Sequence, residues 1–473
     1  WCMEHDLMSV EFMERYWEQV QPFMADLSRA DLRGFIRDQL NGQLFGALFN
    51  KEGTAFAGYY YGEADSPYFP GDIDNYALEY FGPEQYYSDK FREEAYLFIP
   101  FDENYYQALI KQTIHGDIIP KVADDIKIVY TPLHGTGNVP VREVLKRLGF
   151  KHVYVVEEQT VPDGDFSTVK SPNPEEPSAF AMGIDLAKKV DADVIMATDP
   201  DADRLGVYVR GKEPGTYHVL TGNMSGCLLA EYEISQMKEA GTLPEDGALI
   251  KTIVTTNLAN DIAKYYNVNL IEVLTGFKYI GEQILGFETT GKGHYCFGFE
   301  ESYGCLIGTH ARDKDAIVAS MALCEAAAYY KTKGMSLWDK MKEMYERYGY
   351  WSDGVQSIEL KGKEGIEKIQ NTLEKLRKDV PTEFDGLKIL SARDYREDVI
   401  KDMVTGKTTK TGLPKSNVLY YDLEDDVWVC IRPSGTEPKL KFYYGVKGTS
   451  FEDAQEKLDK LGKYLLDMVN SML

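Results

Sequence analysis

The sequence predicts an α/β protein. It has two successive βαβ-type domains with mixed or parallel sheets, a C-terminal α+β domain, and an N-terminal segment whose fold the sequence leaves undefined. Three observations carry this. Apolar runs alternate with amphipathic stretches at helical spacing from Asp124 to Thr198, a similar register returns from about 221 to 345, and the order changes after about 355. At 473 residues the chain has room for roughly three domains of about 150 residues each.

The first hundred residues follow neither pattern. They hold 7 Lys and Arg against 18 Asp and Glu, a net charge of −11, and 22 of the 59 aromatic residues. A helix is expected around 8–25, followed by Gly/Tyr-rich sequence such as Phe56-Ala57-Gly58-Tyr59-Tyr60-Tyr61-Gly62. Beyond them, Ile126–Tyr130 reads as a short strand. The helix after it places Val141, Val144, Leu145 and Leu148 at i, i+3, i+4 and i+7, and Gly149 ends it. His152–Val156 is the next strand, a helix carries Phe180, Ile184 and Ala187 on one face, and Asp193–Thr198 is a buried-type strand. In the second register, Ala248–Val254, Leu270–Leu274 and Tyr295–Phe299 are strands, and an alanine-rich helix covers 316–330. The tail reads as strand, helix, loop, strands Val418–Leu423 and Val427–Ile431, a loop, a strand over 440–446 and a closing helix. Ser450 and Asp453 are spaced for a capping box on that last helix.

The whole chain carries 52 Lys and Arg against 76 Asp and Glu, a net charge of −24. That balance excludes nucleic acid and anionic membranes as main partners, since both need a broad basic footprint. No apolar run approaches the ~18–20 residues of a membrane span, and the start lacks a signal-peptide pattern. Six cysteines without CxxC spacing make no disulfide framework, so a reduced, cytoplasmic setting is expected. The chain begins at Trp1 rather than Met, as a fragment or a processed product would.

Three loops carry chemistry. Asp199-Pro200-Asp201-Ala202-Asp203-Arg204 follows a strand directly, and carboxylates at i, i+2 and i+4 there converge on a hard cation, best Mg²⁺. An EF-hand would need Gly at its sixth position and Glu at its twelfth; these are Arg204 and Arg210. Arg432-Pro433-Ser434-Gly435-Thr436-Glu437-Pro438-Lys439, between two strands, offers backbone N–H groups, hydroxyls and cations to a phosphate, although a plain hairpin turn also explains its Gly and Pro. Gly298-Phe299-Glu300-Glu301-Ser302-Tyr303-Gly304, with Ala311-Arg312-Asp313-Lys314-Asp315, suits the hydroxyls of a polyol, with Lys314 as proton carrier or phosphate contact. Taken alone, a capped turn opening the helix at 316 is the simpler account of that stretch. Other matches fail: Pro140 stands where a dinucleotide fingerprint after Gly135 and Gly137 needs Gly, and Lys401 breaks a P-loop ending at Lys407-Thr408. His134 reads as a loop or core histidine.

Taken together and in this order, Thr131–Asn138, Asp199–Arg204, Thr275-Gly276-Phe277-Lys278, Gly298–Gly304 and Arg432–Lys439 resemble the α-D-phosphohexomutase superfamily of phosphoglucomutases and phosphomannomutases. The details are most similar to the branch that includes phosphopentomutases, and the resemblance runs from about residue 101 to the end. It implies a phosphohexomutase-like domain with the metal loop (101–220), one with the sugar-binding loop (221–350) and a phosphate-binding α+β domain (351–473). Residues 1–100 stand in place of the catalytic-serine domain. It also implies one Mg²⁺ held by Asp199, Asp201 and Asp203, sugar contacts from Gly276, Glu300 and Ser302, and a phosphate site of Arg432, Ser434, Gly435 and Thr436, with Lys314 and Arg204 as catalytic cations. The implied partners are a sugar phosphate and a bisphosphorylated sugar as intermediate or activator. The family nucleophile is a phosphoserine in a Thr-Ala-Ser-His-Asn-Pro type loop. In residues 1–100, Ser9, Ser28, Ser66 and Ser88 are not followed by His, so no nucleophile is identifiable. The resemblance leaves two expectations: interconversion of a hexose 1-phosphate and 6-phosphate by Mg²⁺-assisted intramolecular phosphoryl transfer through a bisphosphate intermediate, with a pentose phosphate as the alternative substrate, or a catalytically inactive or truncated relative that binds a sugar phosphate.

Overall fold

A computed structural model of the chain describes residues 43–50, 56–63, 76–80, 100–360, 362–434 and 438–472. The chain divides into two units, Trp1–Asn104 and Tyr105–Leu473. In the first, β1 (Gln43–Asn50), β2 (Phe56–Glu63) and β3 (Tyr76–Tyr80) form an antiparallel sheet in the order β2-β1-β3. The Gly/Tyr-rich stretch that the sequence left unassigned is therefore strand β2. The helix expected around 8–25 lies outside the described residues.

From Tyr105 onward, α1 (Pro100–Ile110) belongs to the second unit, and with the short α2 (Ile119–Val122) it brings Leu109 and Ile119 into that unit's core. β4 (Lys127–Thr131), α3 (Asn138–Leu148) and β5 (His152–Val155) follow as the alternation predicted. Val141, Val144 and Leu145 are buried, and Gly149 ends α3 in the left-handed region at φ 94°. Next come α4 (Ala181–Val190), β6 (Val194–Thr198), β7 (Leu205–Arg210) and β8 (Tyr217–Leu220). The sheet runs β5-β4-β6-β7-β8, parallel across β5, β4 and β6 and antiparallel beyond. All five residues of β6 are buried, as expected of a strand covered on both faces.

The second register gives α5 (Gly222–Glu239), β9 (Gly247–Thr252), α6 (Leu258–Tyr266), β10 (Asn269–Val273), α7 (Lys278–Thr290), β11 (His294–Phe299) and β12 (Cys305–Leu306). Its sheet order is β10-β9-β11-β12, parallel except for β12. α8 (Ala316–Thr332) is buried from Ala316 to Tyr330. Its alanines let it pass between helices of both sheet layers, and one continuous core joins the two domains around it.

α9 (Leu337–Tyr348) leads to β13 (Tyr350–Glu359), α10 (Gly362–Lys378), β14 (Glu383–Phe384), β15 (Leu387–Asp394), β16 (Val399–Asp402), β17 (Thr408–Thr409), β18 (Leu419–Leu423), β19 (Trp428–Pro433), β20 (Lys439–Gly448) and α11 (Phe451–Asn470). The antiparallel sheet runs β13-β20-β19-β18-β15-β16-β17, with β14 on β15, and a separate core lies between it and the two helices. Two local expectations are corrected. The stretch read as loop before Val418 contains the β15–β16 hairpin, whose charged residues sit toward an open sheet edge and mask the alternation. At α11, the Ser450 hydroxyl accepts from Asp453 N, but the Asp453 carboxylate accepts from Thr449 N (2.7 Å) and Thr449 Oγ1 (3.0 Å), so only half of the capping box forms. A complete box caps α9, where Ser336 and Asp339 bond each other's backbone.

Candidate functional site

The carboxyl end of β6 delivers Asp199 into the metal loop with no exposed surface, while Asp203 is half-buried and Asp201 exposed. One oxygen from each carboxylate lies within 4.8 Å of the others. The loop is drawn around Asp199: its Oδ1 accepts from Asp203 N (3.1 Å) and Arg204 N (3.0 Å), and its Oδ2 from Arg204 Nε (2.6 Å). Ala202 takes φ 59°, a left-handed turn that aims Asp201 and Asp203 to the same side. Three converging carboxylate oxygens and no nitrogen or sulfur donor make a donor set that fits Mg²⁺.

Behind this loop lies Thr131–Asn138. Thr136 N donates to Pro200 O (2.8 Å), and a Cβ on Gly135 would come within 2.5 Å of Pro200 Cα, so only glycine permits the approach. His134 is buried, with Nδ1 on Val161 O (2.8 Å) and Nε2 on Thr168 Oγ1 (2.7 Å), so its ring is structural. Leu205 N donates to Tyr303 O (2.9 Å) and ties the metal loop to the Gly298–Gly304 turn.

That turn is closed by Glu300 N donating to Gly304 O (2.9 Å), with half-buried Ser302 at its crest. Glu300 Oε1 accepts from Gly276 N (2.9 Å), where Gly276 adopts φ 116°. Lys314 stands between the loops, 2.9 Å from Asp203 and 4.0 Å from Glu300. A Cβ on Gly304 would fall 2.0 Å from Lys314 Cδ, so this glycine leaves room for the lysine. Burial opposes the charge on Lys314, but its hydrogen bond and ion pair with Asp203 outweigh this and hold its pKa above the ordinary value. Burial raises Asp203 and Glu300, against the pull of Lys314 on both. The capped-turn reading also holds, because Asp315 caps α8 through Ile317 N (2.8 Å) and Val318 N (3.1 Å).

From β19, Arg432 donates through Nη1 to Thr275 Oγ1, joining the C-terminal domain to the Thr275–Lys278 loop. Ser434 N donates to Lys439 O (2.7 Å). Gly435 and Thr436 lie outside the described residues. Arg204 meets Asp199 at 2.6 Å, Asp203 at 3.6 Å and Glu175 at 3.1 Å, so it braces the metal loop. The sequence marked Thr275 only as part of a family-like loop and gave it no partner, since Arg432 lies 157 residues away and no local spacing reveals the bond. Sequence reasoning missed the hydroxyls of Thr252 and Thr255, which meet Glu301 Oε2 at 3.2 and 3.4 Å.

Two α/β layers with mainly parallel sheets and an antiparallel α+β domain thus bring the carboxylates of Asp199, Asp201 and Asp203, the Glu300–Lys314 pair and Arg432 into one composite site of an α/β protein. Residues 103–212 match the phosphoglucomutase/phosphomannomutase α/β/α domain II and residues 221–348 match domain III. The chain is 36% identical over 384 residues to a phosphoglucomutase of Staphylococcus epidermidis, covering 79% of this chain and 69% of that one. It is 38% identical over 343 residues to a phosphoglucomutase of Staphylococcus aureus, covering 72% of this chain and 60% of that one. The chain belongs to the phosphoglucomutase/phosphomannomutase family. In fold it is similar to parafusin, a phosphoglucomutase of Paramecium, with a TM-score of 0.56 at 15% identity, covering 93% of this chain and 79% of that one. Residues 1–89 match a domain of unknown function, DUF7832. Among the described residues, no helix is long and apolar enough to cross a membrane.

Proposed function

We propose that the chain interconverts a hexose 1-phosphate and 6-phosphate by Mg²⁺-assisted phosphoryl transfer through a bisphosphate. The observation that carries this is Lys314, which contacts both the metal-loop carboxylate Asp203 and the sugar-loop carboxylate Glu300, so that cation site and sugar site are one place. Asp199, Asp201 and Asp203 would hold the ion, which when bound neutralises charge on the transferring phosphoryl group. Gly276, Glu300 and Ser302 orient the sugar hydroxyls. Arg432 and Ser434, with Gly435 and Thr436, take the non-reacting phosphate. Lys314 supplies fixed positive charge, or a proton, at the transferring group, and Arg204 holds Asp199 in register. A pentose phosphate is the alternative substrate. A cytoplasmic setting belongs to the same reading, supported by five buried free thiols among the described residues.

A specific observation favours a second reading, a relative that binds sugar phosphate without turnover. Residues 1–89 match a domain of unknown function, and no serine in residues 1–100 is followed by His. A mutase assay with glucose 1-phosphate and trace glucose 1,6-bisphosphate separates the two. Turnover supports the mutase. Absence of turnover, with Mg²⁺-dependent sugar-phosphate binding retained, sinks it in favour of the binding protein.

A further inference from the structure

Lys314 stands directly before Asp315, and the hydrogen bonds of Asp315 go beyond what a helix cap requires. Its Oδ1 accepts from Ile317 N (2.8 Å) and Val318 N (3.1 Å), which is the cap of α8. The Tyr105 hydroxyl, 210 residues away on α1, lies 3.0 Å from Oδ1 and 2.9 Å from Oδ2. His310 donates from Nε2 to Oδ2 at 2.8 Å. Asp315 is buried, and protein donors satisfy both of its oxygens. The backbone beside it joins the two loops of the site. Asp315 N donates to Cys305 O (3.0 Å), just beyond the sugar loop, and Ala316 N donates to Ala202 O (3.0 Å), inside the metal loop. Lys314 leaves this junction to reach Asp203 at 2.9 Å, Asp313 at 3.1 Å and Glu300 at 4.0 Å.

We propose that Tyr105 and His310 are positioning residues for Lys314: by gripping both oxygens of Asp315 they fix the junction that sets the lysine between the metal loop and the sugar loop. The inference rests on the reading of Lys314 as the cation at the transferring group. A cap ties Asp315 only to the first turn of its own helix. The phenol and the imidazole tie it to α1 and to the segment between β12 and α8. The N-terminus of α8 then cannot shift without breaking hydrogen bonds to a buried charge, which are among the stronger ones in a protein. The flexible stem of a lysine does not hold its own position. A fixed backbone origin therefore keeps Nζ within reach of Asp203 and Glu300. Neither Tyr105 nor His310 belongs to the metal loop or the sugar loop, and each acts through Asp315.

The test compares the full chain with two variants that spare the helix cap. Tyr105→Phe removes only the phenolic hydroxyl. Asp315→Asn keeps an oxygen for Ile317 N and Val318 N, since asparagine caps helices as well as aspartate does, but turns an amide N–H toward Tyr105 and His310. His310 accepts from that amide only by moving its proton to Nδ1, which is buried without a partner. Amine-reactive labelling read by mass spectrometry, without ligand, reports Lys314 directly. In both variants Lys314 is expected to react about tenfold faster than in wild type, the scale of a lost hydrogen bond to a charged group. Lys340, buried on α9 against Glu231, should keep its rate. With glucose 1-phosphate, Mg²⁺ and trace glucose 1,6-bisphosphate, kcat should fall about tenfold while KM stays within about twofold, because Lys314 acts at the transferring group. Lys314 reacting at the wild-type rate overturns the inference and leaves the proposed function standing. So does faster labelling of Lys314 and Lys340 alike, the mark of general loosening, and so does unchanged turnover in a variant whose Lys314 has been freed. Should one variant not fold, the other carries the comparison. A wild type without turnover overturns the proposed function, and the labelling alone then decides whether the Tyr105–His310 grip holds the lysine.

Discussion

Asp201 and Asp199 show how differently two carboxylates of one loop can serve. Asp199 has no exposed surface, and its two oxygens accept three hydrogen bonds from Asp203 N, Arg204 N and Arg204 Nε, so it organises the loop as well as offering a ligand. Asp201 is exposed and carries no such structural duty. Asp201→Ala should therefore leave the unfolding temperature in metal-free buffer unchanged within a degree or so, while reducing turnover by orders of magnitude. Mg²⁺-induced stabilisation, read by thermal shift, should also disappear, and this arm holds even for a protein without turnover. Equal Mg²⁺ responses in mutant and wild type would remove Asp201 from the cation site. Gly135 acts on the same loop from behind. A methyl group there meets Pro200 Cα at 2.5 Å and Asp199 O at 2.8 Å, both backbone atoms with no rotamer to yield. Gly135→Ala should weaken Mg²⁺ binding at least tenfold by displacing the turn, although Gly135 is no ligand. A Kd for Mg²⁺ within twofold of wild type would show that the turn absorbs the shift.

Elements differ in how openly the sequence announces them. β4, α3, β5 and β6 were legible because the buried parallel strands β4 and β6 read as apolar runs, the half-buried edge strand β5 is rich in valine and tyrosine, and α3 has apolar residues at helical spacing and a glycine stop. β15 and β16 were hidden: their exposed positions hold Lys388 and Lys401, half-buried Arg393 is engaged by Asp422 and Glu272, and turn residues separate the two strands. The site was legible to the same degree as its locality. Asp199, Asp201 and Asp203 lie within five residues, and Glu300 and Lys314 within fifteen, so order along the chain suffices. The Arg432–Thr275 bond and the Thr252–Glu301 bond join distant strands, and only the fold brings them together. Caps divide similarly, since Ser-x-x-Asp occurs before both α9 and α11 but closes fully only at α9. Ser336→Ala should cost about 1 kcal/mol, removing the hydroxyl that accepts from Asp339 N and leaving the N-terminus of α9 open. Denaturant unfolding followed by helix signal measures it, and a change below about 0.3 kcal/mol would mean that packing of Leu337 and Met341 holds the turn without its cap.

At the scale of the whole molecule, the −24 charge hides an opposing set of enclosed acids in Tyr105–Leu473. Burial pushes Glu301 up to about 7 and Asp353 up to about 6, the latter against the pull of Thr256 and Lys251. Asp353 Oδ1 is shut off from water and lacks a hydrogen-bond partner, which explains why its charge is poorly tolerated. For both groups the folded value lies above the unfolded one. The native state therefore holds more protons than the unfolded chain between about pH 4 and 7, and stability contributed by the neutral acids is lost as pH rises through that window. Hydrogen bonds hold Asp163 and Asp339 down at about 2, so their stabilising effect is lost only as pH falls below about 4. His218 works the other way over part of the range, because burial holds its ring below its ordinary value and its protonation on acidification disfavours the fold. Comparing variants isolates the acids from this opposing histidine. The unfolding temperature of Glu301→Gln and of Asp353→Asn, relative to wild type, should rise progressively from pH 5 to pH 8, with each ionised acid costing on the order of 2 kcal/mol at the upper end. A pH-independent offset between wild type and either variant would show that the corresponding acid does not titrate in this window, and would leave its burial a matter of packing alone.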